Sequence, residues 1–123
     1  MTRAASPTGH VRTVFLSDVH LGFRGCQAEL LLDFLTTVKT DRLILVGDIV
    51  DLWSLRRSFY WPSAHQQVVR QILEIARSGT EVIYIPGNHD EGFRELCGAA
   101  LESIVVRREL VHETCRGQRY LVV

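Results

Sequence analysis

LILVGDIVD, residues 43–51, is a run of apolar residues that leads directly into a polar cluster. The continuous apolar run Leu43 to Val46 predicts a short buried strand, because a strand covered on both faces of a sheet needs no polar alternation. Gly47 allows the backbone to turn sharply where that strand ends. The following Asp48 is therefore expected at the carboxyl end of a buried strand.

The segment is part of a regular order of strands and helices. Apolar runs and stripes predict, in chain order, strand Val11 to Leu16, helix Gln27 to Val38, strand Leu43 to Val46, helix Ala64 to Arg77 and strand Glu81 to Ile85. This β-α-β-α-β order is typical of an α/β fold, with a mainly parallel sheet and flanking helices. Further along we expect a short helix at Phe93 to Cys97 and short antiparallel strands at Ser103 to Val106, Leu110 to Thr114 and Gln118 to Val123.

Each parallel strand is followed at once by polar residues. The clusters are Ser17-Asp18-Val19-His20, Gly47-Asp48-Ile49-Val50-Asp51 and Pro86-Gly87-Asn88-His89-Asp90. Because ligands of open α/β sheets bind outside the carboxyl ends of the strands, the three clusters should converge on one crevice. Asp18 and His20 lie two apart on a segment that we expect to be extended, which would turn both to one face.

Each cluster alone has an ordinary interpretation as a turn or a cap. Three of them in order, each at a strand end, point instead to a metal centre. Carboxylate and imidazole ligands favour manganese, iron or zinc over calcium. The predicted ligands are Asp18, His20, Asp48 and Asn88. The neighbouring His89 can act as an acid or hold a phosphate oxygen.

The motifs D-x-H, G-D-x-x-D and G-N-H-D resemble the signature of the calcineurin-like metallophosphoesterase superfamily. The segments FLSDVHLG, VGDIVDLW, FYWPSAH and YIPGNHDE are similar to its UDP-2,3-diacylglucosamine diphosphatase branch, from about Val11 to the end of the chain. The resemblance implies the α/β-β/α sandwich of that superfamily, with this chain as its N-terminal half. Residues 1–10 are predicted to be a disordered lead-in, and residues 11–123 a phosphoesterase domain truncated at its C-terminus.

The resemblance also implies roles for individual ligands. Asp18 and His20 would bind the first of two divalent metal ions, which is commonly manganese in this branch. Asp48 would bridge both ions, and Asn88 would bind the second. The pair of ions would generate a hydroxide nucleophile and clamp the phosphate for in-line attack.

Two neighbouring residues would support the reaction. His89 would stabilise the transition state or protonate the leaving group, and Asp90 would orient it. The superfamily uses further histidines downstream, which this chain lacks, so we expect the isolated chain to bind metal weakly and turn over poorly, with one sheet face uncovered. His10, His65 and His112 have ordinary interpretations, with His65 capping a helix or facing solvent.

The predicted function is hydrolysis of a UDP-2,3-diacylglucosamine-like nucleotide-lipid to release UMP, in the cytoplasm and at the surface of the inner membrane. One alternative is a phosphodiesterase or phosphatase acting on a soluble substrate, and another is an inactive fragment with half a metal site. Leu52 to Pro62 is both aromatic and basic. Arg56 and Arg57, together with Asp51, are therefore candidate contacts for phosphate or anionic head groups, although core packing with solvated arginines is the simpler interpretation.

Charge, cysteine spacing and the distribution of apolar residues argue against several other classes of protein. The formal net charge is zero, which argues against a general nucleic-acid binder. The three cysteines are widely spaced without C-x-x-C, which disfavours a zinc site or a disulfide framework. The N-terminal ten residues lack the apolar segment of a signal peptide, and no apolar run has the length of a membrane span. The oligomeric state is not predicted.

Overall fold

The computed structural model describes residues 10–51, 55, 57–86 and 104–123. Its elements are β1 (His10–Ser17), α1 (Ala28–Thr37), β2 (Lys39–Val46), α2 (Ser63–Arg77), β3 (Glu81–Ile85), β4 (Val105–Val106), β5 (Leu110–Glu113) and β6 (Arg119–Val122). Several predicted features lie outside the described residues: residues 1–9 of the lead-in, Arg56, Asn88, His89, Asp90 and the helix Phe93 to Cys97. The last residue of the predicted lead-in, His10, instead begins β1 and pairs with Lys39.

The main sheet has the strand order β1-β2-β3-β4, and every pair in it is parallel. The expectation of an antiparallel strand at Ser103 to Val106 is therefore corrected, because β4 pairs parallel with β3. The prediction of a mainly parallel sheet with flanking helices is confirmed. β2 begins at Lys39 rather than at Leu43, because its backbone pairs with β1 from His10↔Lys39 onward. The polar start of β2 is therefore held by main-chain hydrogen bonds, which an apolar pattern does not reveal.

Both helices pack on one face of this sheet. Leu35 of α1, together with Val68 and Ile72 of α2, belongs to the same buried cluster as Leu43 and Leu45 of β2. Burial of each such side chain contributes about 1.5–3 kcal/mol to folding. This core sets β1 and β2 side by side, so that the loops after them leave the sheet at the same edge.

The opposite face carries a hairpin formed by β5 and β6, which pair antiparallel. Leu110 and Val122 of the hairpin pack against Ile44 and Ile83 of the sheet. The expectation of an uncovered face is therefore corrected for this part of the sheet. The ring of Phe15 lies edge-on to that of His112 in β5, and Phe15 is still 45% exposed.

Candidate metal centre

Three of the predicted ligands meet at the carboxyl ends of β1 and β2. Asp18 and His20 follow β1, and Asp48 follows β2. One ligand atom from each side chain lies within 4.8 Å of the other two. Two carboxylates and an imidazole at this separation form a donor set that suits manganese, iron or zinc.

The backbone at the first two ligands differs from the expected extended segment. Asp18 has φ 53° and His20 has φ 55°, so both lie in the left-handed region. The chain turns at these residues after β1 ends, and the His20 Nε2 atom comes to 3.7 Å from Asp18 Oδ1. Left-handed conformation costs a non-glycine residue about 1–2 kcal/mol, and such strain is concentrated at functional sites.

A short ladder of main-chain hydrogen bonds joins the loops after β1 and β2. It consists of His20 N–H to Asp48 O at 2.9 Å, Leu21 N–H to Ile49 O at 2.8 Å and Asp51 N–H to Leu21 O at 2.7 Å. Leu21 and Val50 form a parallel bridge there, and both side chains are buried. The ladder extends the β1–β2 pairing beyond the sheet and holds His20 beside Asp48.

Asp51 lies on the far side of the His20 ring from Asp18. Its Oδ2 atom is 3.4 Å from His20 Nδ1, and its side chain is 14% exposed. A carboxylate beside one ring nitrogen orients the imidazole and leaves the other nitrogen available to a metal. Asp51 is predicted above as a substrate contact, whereas the structure places it beside the ring of His20. The signal for a residue close to Asp48 is the G-D-x-x-D spacing.

His65 lies in a different environment from the one that the sequence predicts. It neither caps the helix through its side chain nor faces solvent, since it is 3% exposed at the start of α2. Its Nδ1 atom accepts a hydrogen bond of 2.9 Å from the Gly22 N–H, two residues after His20. Burial lowers the pKa of His65, which favours the neutral ring that this acceptor role requires.

Aromatic rings complete the surroundings of His65. The rings of Tyr60 and Trp61 lie edge-on to it, with centroids 5.6 and 5.8 Å away. Arg24, from the loop after β1, places its guanidinium carbon 4.4 Å from the Tyr60 ring centroid. The signal for this cluster is the segment FYWPSAH, in which three aromatic residues precede a histidine at the beginning of a helix.

A cleft of about 340 Å³ opens beside the ligands. Its walls include Asp18 and His20 together with the apolar side chains Leu16, Val19, Phe23 and Leu31. The half-buried Cys26 also lines the cleft, and burial raises the pKa of its thiol. The cleft therefore places apolar surface directly against the polar ligand cluster.

The basic segment is described only in part. Arg57 is exposed, and Phe59 beside it is 78% exposed. Among the helices that the structure describes, none combines the length and apolar character needed to cross a membrane.

Comparison with known proteins adds three findings. The family model for calcineurin-like phosphoesterases matches residues 11–118. A UDP-2,3-diacylglucosamine hydrolase of Xanthomonas campestris pv. campestris (strain B100) is 37% identical over 82 residues, which cover 63% of this chain and 32% of that protein. The chain thus spans about a third of the length of this relative. The same match is found in two further strains.

Among solved structures, the nuclease MPE of Pseudomonas putida superposes with a TM-score of 0.50. The two sequences are 24% identical, and the match covers 80% of this chain and 48% of the nuclease. At this level of identity the likeness establishes a shared fold.

Proposed function

The chain belongs to the calcineurin-like phosphoesterase family, and from that premise we propose that it supplies ligands of a two-metal centre for hydrolysing phosphate esters or anhydrides. The observation that carries the proposal is the cluster of Asp18, His20 and Asp48, whose ligand atoms lie within 4.8 Å of one another. The residues fit divalent metal because their donors are carboxylate oxygens and an imidazole nitrogen. Left-handed backbone at Asp18 and His20 supports a functional site rather than a chance cluster.

In this proposal the ligands divide between two ions, with manganese as the expected metal. Asp18 and His20 would hold one ion and Asn88 the second, and Asp48 would be shared between them. When bound, the ions supply a hydroxide nucleophile and polarise the phosphate.

The remaining residues prepare this centre. Asp51 fixes the ring of His20, since the carboxylate is 3.4 Å from its Nδ1 atom. His89 protonates the leaving group or stabilises the transition state, and Asp90 orients it. The proposed roles of Asn88, His89 and Asp90 rest on their motif alone.

We propose a nucleotide-lipid of the UDP-2,3-diacylglucosamine type as the substrate and UMP as a product. Two observations support this choice. A relative with 37% identity is named UDP-2,3-diacylglucosamine hydrolase, and the cleft beside Asp18 and His20 has apolar walls that suit an acyl chain. Arg56 and Arg57 are proposed contacts for phosphate or for anionic head groups at the inner membrane surface.

The first experiment is calorimetric titration of the chain with Mn²⁺. Asp48→Asn keeps the shape of the side chain and removes its charge, and Asp33→Asn on the exposed side of α1 is the matched control. We expect the affinity to fall about tenfold or more in Asp48→Asn and to stay unchanged in Asp33→Asn. Equal affinity in the three proteins, or no binding by the unmodified chain, contradicts the proposal.

The second experiment addresses the substrate. Release of UMP from UDP-2,3-diacylglucosamine is compared with hydrolysis of bis-p-nitrophenyl phosphate, both in Mn²⁺ and with Asp48→Asn as a blank. A preference for the nucleotide-lipid supports the proposed substrate. Turnover of bis-p-nitrophenyl phosphate alone favours a soluble phosphodiester instead.

A further inference from the structure

The loop after β1 that carries Asp18 and His20, residues 18–23, is called the ligand loop. Four consecutive backbone amides in it, those of residues 20–23, are hydrogen bonded. The donors and acceptors are His20 N–H to Asp48 O, Leu21 N–H to Ile49 O, Gly22 N–H to His65 Nδ1 and Phe23 N–H to His20 O. The bond from Gly22 differs from the other three because its acceptor belongs to a side chain. It also ties the loop to α2, whereas the first two bonds tie the loop to the segment after β2.

Gly22 has little freedom to find another acceptor. The residue is buried, and a Cβ atom placed on it would lie 2.7 Å from Leu55 Cγ. The loop is therefore enclosed by Leu55 on one side and bonded to His65 on another. If the imidazole is removed, the Gly22 N–H becomes a buried donor that must either lose its bond or move.

His65 is itself held in place. It is 3% exposed, and its backbone N–H donates a hydrogen bond of 3.0 Å to Pro62 O. The rings of Tyr60 and Trp61 lie edge-on to its imidazole. The neutral ring that burial favours keeps a lone pair on Nδ1 for Gly22. An acceptor fixed in this way defines where Gly22 lies.

We infer that His65 is a positioning residue, which acts through Gly22 to hold the loop that carries Asp18 and His20 in its metal-binding shape. The inference rests on the proposed function, because it concerns the same ligands. It assigns to α2 a part in the site, although α2 contributes no ligand among the described residues. The side chain works as a fixed hydrogen-bond acceptor at one atom, Nδ1.

Three variants distinguish the effect of losing the hydrogen-bond acceptor from the effect of losing the volume of the ring. His65→Asn places its Oδ1 atom close to the position of Nδ1, so it preserves an acceptor for Gly22. His65→Gln extends its acceptor towards the position of Nε2, and His65→Ala has none. All three remove the ring that Tyr60 and Trp61 contact edge-on, so they share the loss of packing and differ in the hydrogen bond.

The test measures amide hydrogen exchange by NMR in the full chain. We expect exchange at His20 and Leu21 to be about tenfold faster in His65→Ala and His65→Gln than in the unmodified chain. His65→Asn should restore the slow rates. The amides of Ile83 and Tyr84 in β3 report on general stability and should stay unchanged.

Three outcomes overturn the inference. The exchange rates at His20 and Leu21 are unchanged in His65→Ala, the amides of β3 exchange faster by the same factor, or His65→Asn fails to restore the slow rates. If His65→Ala fails to fold, the comparison between His65→Asn and His65→Gln decides. Both variants have an amide side chain, and they differ in where its oxygen lies.

Titration with Mn²⁺ links the loop to the metal. We expect about a tenfold loss of affinity in His65→Ala and its recovery in His65→Asn. Unchanged affinity in His65→Ala, with an unmodified chain that binds, overturns the functional part of the inference. An unmodified chain that does not bind Mn²⁺ refutes the proposed function, while the exchange rates still decide whether His65 positions the loop.

Discussion

Replacing Gly22 by alanine tests how tightly the ligand loop is enclosed. Gly22 has φ +97°, and an added Cβ atom would lie 2.7 Å from Leu55 Cγ and 2.9 Å from Leu55 Cδ2. Gly79 is a matched control because it has φ +107° with nothing within 4 Å of an added Cβ. Both substitutions strain the backbone, and only Gly22→Ala adds a collision.

The two costs can be separated. The positive φ costs about 1–2 kcal/mol at either position. The overlap with Leu55 adds about 1–3 kcal/mol at Gly22, depending on how far that side chain moves. We therefore expect Gly79→Ala to lower the free energy of unfolding by about 1–2 kcal/mol and Gly22→Ala by about 2–5 kcal/mol. With about 4 °C per kcal/mol for a domain of this size, Tm falls by about 4–8 °C and 8–20 °C respectively.

The assay is urea unfolding followed by circular dichroism, with the double variant Gly22→Ala/Leu55→Ala completing a cycle. In the Leu55→Ala background the cost of Gly22→Ala should drop to that of Gly79→Ala, because the colliding atoms are gone. The reasoning is refuted if Gly22→Ala and Gly79→Ala lower the free energy of unfolding equally in the unmodified background. It is also refuted if Gly22→Ala costs the same with and without Leu55→Ala.

Three further predictions concern other parts of the molecule. Burial lowers the pKa of His65 in the folded chain below its ordinary 6.5, so the unfolded chain binds more protons as the pH falls through 6.5. Stability should therefore drop between pH 7.5 and 5.5 and level off below the folded pKa, with a smaller drop in His65→Asn; identical pH profiles by urea unfolding contradict this. Iodoacetamide at pH 7.5 should alkylate the exposed Cys115 before Cys26, because burial raises the thiol pKa of Cys26. Equal alkylation rates of the two cysteines, measured by peptide mass mapping, would contradict the burial of Cys26. Leu43→Ala should cost about 2–5 kcal/mol of unfolding free energy and Leu121→Ala, which is 62% exposed, about 0.5 kcal/mol or less; similar losses would mean that the core lies elsewhere.

The sequence predicts those parts of the fold that local pattern determines. β3 has the predicted bounds Glu81–Ile85, because a left-handed glycine at 79 ends the preceding helix and Pro86 follows the strand. The meeting of Asp18, His20 and Asp48 was predictable as well, since parallel strands bring their carboxyl ends to one edge.

Features that depend on contacts between distant segments were not predictable. Asp and His adopt left-handed backbone more often than most non-glycine residues, but residue type alone does not determine it at Asp18 and His20, where a hydrogen-bonded ladder joins the loop to the next one. The bond between Gly22 and His65 joins residues 43 apart, so it exists only once α2 has packed against the sheet. A buried histidine at the start of a helix has the same local sequence as an exposed one, which is why its role was misjudged.

The ladder between the loops after β1 and β2 also bears on how such a site diversifies. Its own donors and acceptors are backbone N–H and C=O groups, so the side chain of Phe23 takes no part in them. A cleft residue with an exposed side chain, such as Phe23, can then be exchanged without changing the hydrogen-bonding groups that hold His20 beside Asp48. The surface of the cleft can therefore change while the spacing of Asp18, His20 and Asp48 is kept.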